Sequence, residues 1–338
     1  MLPVEQNRKA IYSFQSPDAD RGKIMSVVDL GAGIQQIDVY YQGLPERMAL
    51  YLVRGEKTAL VETGPAPGTS HILKALPELG LAPEQVDYII LTHIHLDHAG
   101  GAGVLTEHLP RAKVLVHPRG LRHLADPVRL VSGARAVYGE RFDALLGEVR
   151  PVPADRLYAL SDGETLDLGG GRVFTFYHTP GHARHHMIVH DPFSGGIFAG
   201  DALGLRLPDL SRATGYDFVL PSTTPSEFDP LAAEATFDRA SRLNARYIFF
   251  AHFGRAGNVP AILARNRDLV TAQTIIGRRV LASGGSVRNL EESLSELFLP
   301  ELLLHGIDRE HPLFRGLAAE LKLNALGIVH YLQREGKN

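Results

Sequence analysis

The chain has 338 residues, 44% hydrophobic and 22% charged, the balance of an ordinary soluble globular protein. Its 35 Lys and Arg against 38 Asp and Glu leave a net charge of −3, which argues against nucleic acid as the main partner. No apolar run approaches the ~18 residues of a membrane span, and the absence of cysteine excludes disulfides, thiolate metal sites and cysteine nucleophiles. Met1 to Gln15 mixes charge and polarity without an apolar stretch, so no signal peptide and no membrane partner are expected, and the location expected is cytoplasmic.

Short alternating runs open the chain: Ile24 to Leu30, Ile34 to Tyr41, Met48 to Val53 and Thr58 to Glu62. Gly and Pro separate them, which predicts a meander of strands. Gly68 to Leu79 carries Ile72, Leu73, Leu76 and Leu79 on one helical stripe. Val86 to Leu91 is a continuous apolar run, hence a buried strand. A helix is predicted from Asp97 to Leu109, a strand from Val114 to His117, and mainly helix from Arg119 to Leu146. Strand patterns return at Thr165 to Leu168, Arg172 to Tyr177, Met187 to His190 and Gly196 to Phe198. An amphipathic helix from Leu231 to Leu243 precedes a buried strand, Tyr247 to Ala251. After Gly257 long helical patterns dominate: Ala261 to Leu281, Leu290 to Phe298 and Leu313 to Arg334, with Asn289 and Glu292 as a capping pair. Two successive sets of strands and helices predict an α/β protein with two face-to-face sheets and helices outside. The expected division is a body over residues 1–257 and a helical C-terminal extension over 258–338.

The strongest chemical signal is Thr92-His93-Ile94-His95-Leu96-Asp97-His98-Ala99-Gly100-Gly101. Three histidines and an aspartate fall within six residues, directly after a buried strand. His93 and His95, two apart, point the same way while the chain is extended. Asp97 and His98 lie on the turn into a helix and face a second point. Such donors suit zinc, iron or manganese. A lone histidine reads as an incidental surface residue; the whole run behind a rigid strand reads as a metal site. Further donors stand at later strand ends: His182 in Thr179-Pro180-Gly181-His182, Asp201 in Ala199-Gly200-Asp201, and His252 in Ala251-His252-Phe253-Gly254. Each alone reads as a capping or structural residue; the combination does not.

In this order, HIHLDH, TPGH, AGD and AHFG resemble the metallo-β-lactamase-fold metallohydrolases, most closely the glyoxalase II-like branch. The resemblance covers Ile24 to Gly257. It implies an αββα four-layer sandwich and a site for two divalent metal ions, zinc first, with iron or manganese as the alternatives. By the family pattern His93, His95 and His182 would hold the first metal, and Asp97, His98 and His252 the second. Asp201 would bridge them. Two metals ~3.5–4 Å apart share a hydroxide and polarise a carbonyl oxygen, making Asp97 and Asp201 the catalytic carboxylates. The family usually has Asp where this chain has Glu62, in Val61-Glu62-Thr63-Gly64; Glu62 is expected to support the metal loop rather than bind metal.

Substrate contacts are expected from Arg184 and His185 beside His182, from Arg206 five residues after Asp201, and from the phenol of Tyr216. His186 would touch substrate or support His182. Leu220 to Pro225 is expected to be extended and to wall the pocket. The other histidines read as structural. The C-terminal helices would cover the metal cleft or form a homodimer face. The expected activity is two-metal hydrolysis of an ester, thioester or lactone of a small molecule through a metal-bridging hydroxide. The alternatives are an iron-dependent, sulfur dioxygenase-like oxygenase with one iron, or a non-catalytic binding protein on the same fold. The superfamily hosts too many chemistries for the motifs to choose a substrate.

Overall fold

The computed structural model describes residues 26–336; the reading of Met1 to Gln15 lies outside them. Seven strands form the first sheet in sequence order: β1 (Val27–Gly31), β2 (Ile34–Asp38), β3 (Ala49–Arg54), β4 (Thr58–Val61), β5 (Val86–Ile90), β6 (Lys113–Val116) and β7 (Leu157–Ala159). The first four make the expected antiparallel meander, and β4 to β7 run parallel. The second sheet holds β8 (Thr165–Asp167), β9 (Val173–His178), β10 (Met187–Asp191) and β11 (Gly196–Gly200). A separate two-stranded ribbon, β12 (Leu205–Arg206) with β13 (Val219–Leu220), precedes β14 (Tyr247–Phe250) and β15 (Gly254–Ala256). The second sheet's order is β15-β14-β11-β10-β9-β8, with β11 and β14 parallel.

Alternation along the strands sorts side chains into layers. In β3, Ala49, Tyr51 and Val53 point between the sheets, where they meet Phe174, Phe176, Phe198 and Phe249. Leu50 and Leu52 point the other way, into a core shared with helices α1 (Thr69–Glu78), α2 (Leu96–Ala99), α3 (Ala102–His108) and α6 (Phe142–Leu146). Between α3 and α6 lie α4 (Leu121–Ala125) and α5 (Val128–Tyr138). On the far side of the second sheet, Ile188, Ile197, Ile248 and Phe250 share a core with α7 (Pro208–Thr214), α8 (Pro230–Ser241) and three long helices: α9 (Val259–Ala282), α10 (Val287–Leu303) and α11 (Pro312–Glu335). Three cores make four layers, the expected sandwich, and the C-terminal helices are continuous with its outer core. Buried Arg172 joins the sheets: it pairs with Asp191 at 2.5 Å and donates to the Ala32 and Arg54 carbonyls.

Two local expectations are corrected and one is refined. The Asp97–Leu109 helix is two helices, broken at Gly100–Gly101, where Gly101 N–H donates to the Gly64 carbonyl of the neighbouring loop. Arg119–Leu146 is mainly helical as expected, divided into three helices because Pro127 cannot continue α4 and Gly139 has φ +57°. α10 begins at Ser286, whose hydroxyl accepts from Asn289 N–H; the Asn289–Glu292 pair does not cap it.

Candidate metal centre

All the motif residues converge on one end of the sandwich, at the carboxyl ends of strands. His93 and His95 follow β5, and Asp97 and His98 ride on the one-turn α2. His182 follows β9, Asp201 follows β11 and His252 follows β14. Each sheet therefore supplies part of the cluster. Gly200 is required here: its φ is +49°, and a Cβ would come within 2.7 Å of His186 Nε2.

The ring nitrogens of His93, His95 and His182 form one tight group, and the donors of Asp97, His98 and His252 a second, each within 4.8 Å. His93 Nε2 lies 3.1 Å from His95 Nδ1, and His182 Nε2 lies 3.0 Å from the same atom. A tetrahedral ion with ~2.0–2.1 Å metal–nitrogen legs spaces its ligands by ~3.3 Å, so three converging nitrogens fit one ion. Asp201 spans both groups. Its Oδ2 is 3.7 Å from His182 Nε2, and its Oδ1 is 3.2 Å from His98 Nε2 and 3.8 Å from His252 Nε2. Asp97 Oδ2 completes the second group, 3.5 Å from His252 Nε2 and 3.9 Å from His98 Nε2.

Four of the candidate imidazole ligands have a partner behind the ring, as metal-binding imidazoles usually do. His93 Nδ1 meets Thr92 Oγ1 at 3.1 Å, His252 Nδ1 meets the Arg47 carbonyl at 3.0 Å, and His182 Nδ1 the Ser222 carbonyl at 3.3 Å. Glu62 plays this part for His98: its Oε1 is 3.5 Å from His98 Nδ1 and also accepts from Thr92 Oγ1. Glu62 thus sits behind the loop, with its longer side chain accommodated at φ +72°. His186 stacks on His93 with centroids 4.7 Å apart and accepts from Asp201 N–H at 3.2 Å.

The donor set fits a divalent metal pair on two observations. His98 Nε2 and Asp201 Oδ1 are buried and 3.2 Å apart, a contact that is not aligned as a hydrogen bond, and neither has another hydrogen-bond partner among the described residues. Burial, reinforced by neighbouring imidazoles, pushes His93 and His95 far below the usual histidine range and leaves their nitrogens as neutral donors. Around His98 the balance reverses: burial opposes its charge, but Asp201, Asp97 and Glu62 outweigh it and raise its pKa. Burial likewise pulls Asp97 up, and His98 and His252 hold it below the usual carboxylate range. Three carboxylates around one point demand positive charge there, which a cation satisfies.

A cavity of about 1300 Å³ opens above the cluster, lined at its base by His95, Asp97, His182, Asp201 and His252. His185 lines it as expected, and so do Ser222, Thr224 and Pro225 of the extended segment. α11 forms one wall through Arg315, Ala319, Glu320 and Leu323, and among the described residues is the one long C-terminal helix in the lining. α4 and α5 form the roof. Three expected substrate residues, Arg184, Arg206 and Tyr216, do not line the cavity. Arg206 pairs with Asp217 at 2.8 Å and donates to the Phe253 carbonyl, and its backbone N–H donates to the His252 carbonyl. It braces the His252 loop and does not line the cavity. Tyr216 bonds Glu301 on α10 and lies under Arg265, also outside the cavity. Arg184 is exposed, and only its backbone N–H is engaged, with Glu227. Sequence reasoning missed Arg47, Glu320 and His123, which do line the cavity; none stands in a motif. His123, read as structural, sits on α4 at the roof.

Comparison with known proteins shows the family and the fold. The family model described as the metallo-beta-lactamase superfamily matches residues 48–252. A metallo-beta-lactamase fold-containing protein of Sulfurisphaera tokodaii is 30% identical over 227 residues, 66% of this chain and 78% of that one. Its crystal structure superposes with a TM-score of 0.57 over 70% of this chain and 85% of its own. A metallo-beta-lactamase family protein of Thermus thermophilus shares the fold over 91% of this chain and 95% of its own, with 23% identity and a TM-score of 0.64. A hydroxyacylglutathione hydrolase of Aeromonas hydrophila is 30% identical over 155 residues, 46% of each protein.

Proposed function

The chain belongs to the metallo-β-lactamase superfamily, and from that premise we propose that it is a two-metal hydrolase of an ester, thioester or lactone of a small molecule. The observation that carries this reading is the Asp201 carboxylate, which turns one oxygen toward His182 and the other toward His98 and His252. His93, His95 and His182 would hold one ion, Asp97, His98 and His252 the other, and Asp201 both. When bound, such a pair supplies a hydroxide near neutral pH and polarises the carbonyl oxygen under attack.

The rest falls to the chain's own groups. Asp97 is the more open of the two ligand carboxylates, 19% exposed against 7% for Asp201, so it orients incoming water from the cavity side. His185 stands on the wall beside His95, ring centroids 5.3 Å apart, and would donate to a substrate oxygen. Leu44, Leu121, Leu130 and Leu323 on the cavity wall give the substrate an apolar body. The likeness to hydroxyacylglutathione hydrolase, over under half of that protein, supports a thioester among the candidates. No helix among the described residues is long and apolar enough to cross a membrane, which fits a small-molecule substrate arriving from water.

Elemental analysis of protein purified without added metal or chelator tests the reading. Two zinc per chain, with turnover in a screen of esters, thioesters and lactones, is the expected result. One iron per chain with oxygen uptake on thiol or persulfide substrates would replace the hydrolase by an oxygenase. No metal bound on titration would remove the catalytic reading altogether.

A further inference from the structure

The cavity is polarised along its length. Its floor carries the ligand carboxylates, with Arg47 and Glu320 nearby. At the roof, Arg119, Arg122 and Arg129 open onto the same space, and none of the three forms an ion pair with a described residue. They share this with exposed Arg184, Arg242, Arg255 and Arg279, whereas most other surface arginines, such as Arg111, Arg150 and Arg212, pair with a carboxylate; what sets the three apart is that they open onto one cavity. Two carboxylates stand by the roof, both with backbone partners: Glu227 accepts from Arg184 N–H and faces His185 at 3.6 Å, and Asp126, between α4 and α5, accepts from Val128 N–H. Arg122 Nε donates to His123 Nε2, which places an imidazole within the group.

The cluster is tied to the metal loop. A Cβ at Gly120 would lie 2.8 Å from Ile94 Cγ2, so the turn bearing Arg119 packs directly on the residue between His93 and His95. α5, bearing Arg129, rests against α2, which bears Asp97 and His98. Between roof and floor the wall is apolar, through Leu121, Leu130 and Ala134.

We propose that Arg119, Arg122 and Arg129 form an anion-recognition subsite. The substrate is then an ester or thioester whose scissile carbonyl is separated by an apolar segment from a phosphate or carboxylate. This rests on the hydrolase reading for the position of the carbonyl, but not for the anion site itself. Guanidinium forks match both oxyanions, and burial of the substrate's middle against the apolar wall strengthens the contact at its end.

Two ligand pairs test it on the metal-loaded full chain. Calorimetric binding of 4′-phosphopantetheine is compared with that of pantetheine, which lacks only the phosphate. Hydrolysis of an adipoyl thioester of N-acetylcysteamine is compared with that of the hexanoyl thioester, which lacks only the distal carboxylate. Wild type should favour the anionic member of at least one pair about 10-fold or more, through Kd or KM. Arg122→Gln/Arg129→Gln should reduce that preference to about twofold or less while leaving the neutral member unchanged. Loss in the first pair places the anion on the leaving group, and loss in the second places it on the acyl chain. A wild type without preference in either pair, or a preference that survives in the variant, overturns the proposal; the variant also separates the subsite from anions bound by the metals alone. If no ester, thioester or lactone is cleaved but the phosphate preference is present and arginine-dependent, the hydrolase reading fails and the subsite stands.

Discussion

The floor and the roof of the cavity are built on opposite principles. On the floor, His93 and His98 are fully buried, and four of the candidate ligands, His93, His98, His182 and His252, have a partner behind the ring. The roof helix α5 has no buried residue, and Val128 and Val137 are 69% and 64% exposed. α11, the third boundary, resembles the floor: Asn324, 2% exposed, accepts from Thr223 N–H and donates to the Pro221 carbonyl and Gln273. Gly327 lets the helix press on the Thr223 carbonyl. The chemistry is thus held on rigid elements, whereas recognition falls partly to an element with few packing constraints.

The contrast is broken most severely at the floor. Asp201→Asn keeps the shape but removes the shared charge; metal content should fall and hydrolysis drop by about 10³-fold or more, measured by elemental analysis beside steady-state kinetics. Next comes the wall: Asn324→Ala leaves Thr223 N–H and the Pro221 carbonyl unpaired and should cost about 2–3 kcal/mol in urea unfolding. At the root of the roof, His117 stacks against His178 at 4.1 Å and accepts from Arg119 N–H. Burial, then the neighbouring histidine, lowers its pKa from 6.5 to about 4. A base held neutral in the folded chain but protonated in the unfolded one stabilises fully above pH 6.5, and that stability is lost as pH falls toward 4. His117→Gln should flatten this acid decline by at most ~2 kcal/mol in chelator-treated protein. The smallest effect on stability belongs to the roof itself. Val137→Ser should change unfolding free energy by under ~0.5 kcal/mol and Leu130→Ser, at a half-buried position, by about 1 kcal/mol, yet Leu130→Ser should raise KM several-fold for substrates with an apolar body. A large loss of stability in either variant would show that the roof packs as tightly as the floor.

The floor was legible in the sequence because its ligands sit in short contiguous motifs after apolar strands, where backbone geometry alone aims them. The layers were legible because Ala49 to Val53 and Gly196 to Phe198 alternate between two cores. The walls were not. Arg47 precedes β3 and Glu320 lies far along the chain in α11, and only packing brings them to one cavity. Arg206 stands away from the cavity because closeness to Asp201 in sequence does not give side-chain direction, and Tyr216 because a phenol in a loop has no direction that sequence fixes. The ribbon β12–β13 bends that stretch toward Asp217, and Tyr216 toward Glu301 on α10. The breaks within 119–146 come from Pro127 and Gly139, which a helical stripe does not register when it runs through them.

Because the first sheet supplies His93, His95, Asp97 and His98 and the second supplies His182, Asp201 and His252, each ion of a bound pair would clasp the two sheets together. Thermodynamic linkage then makes metal affinity and sheet docking one quantity seen from two sides: metal at ~100 times its dissociation constant adds about 2.7 kcal/mol to the docked state. Any substitution that loosens the sandwich, even at the buried Arg172–Asp191 pair, would therefore be read out as a weaker metal titration, and a chelator would act on this protein as a mild denaturant.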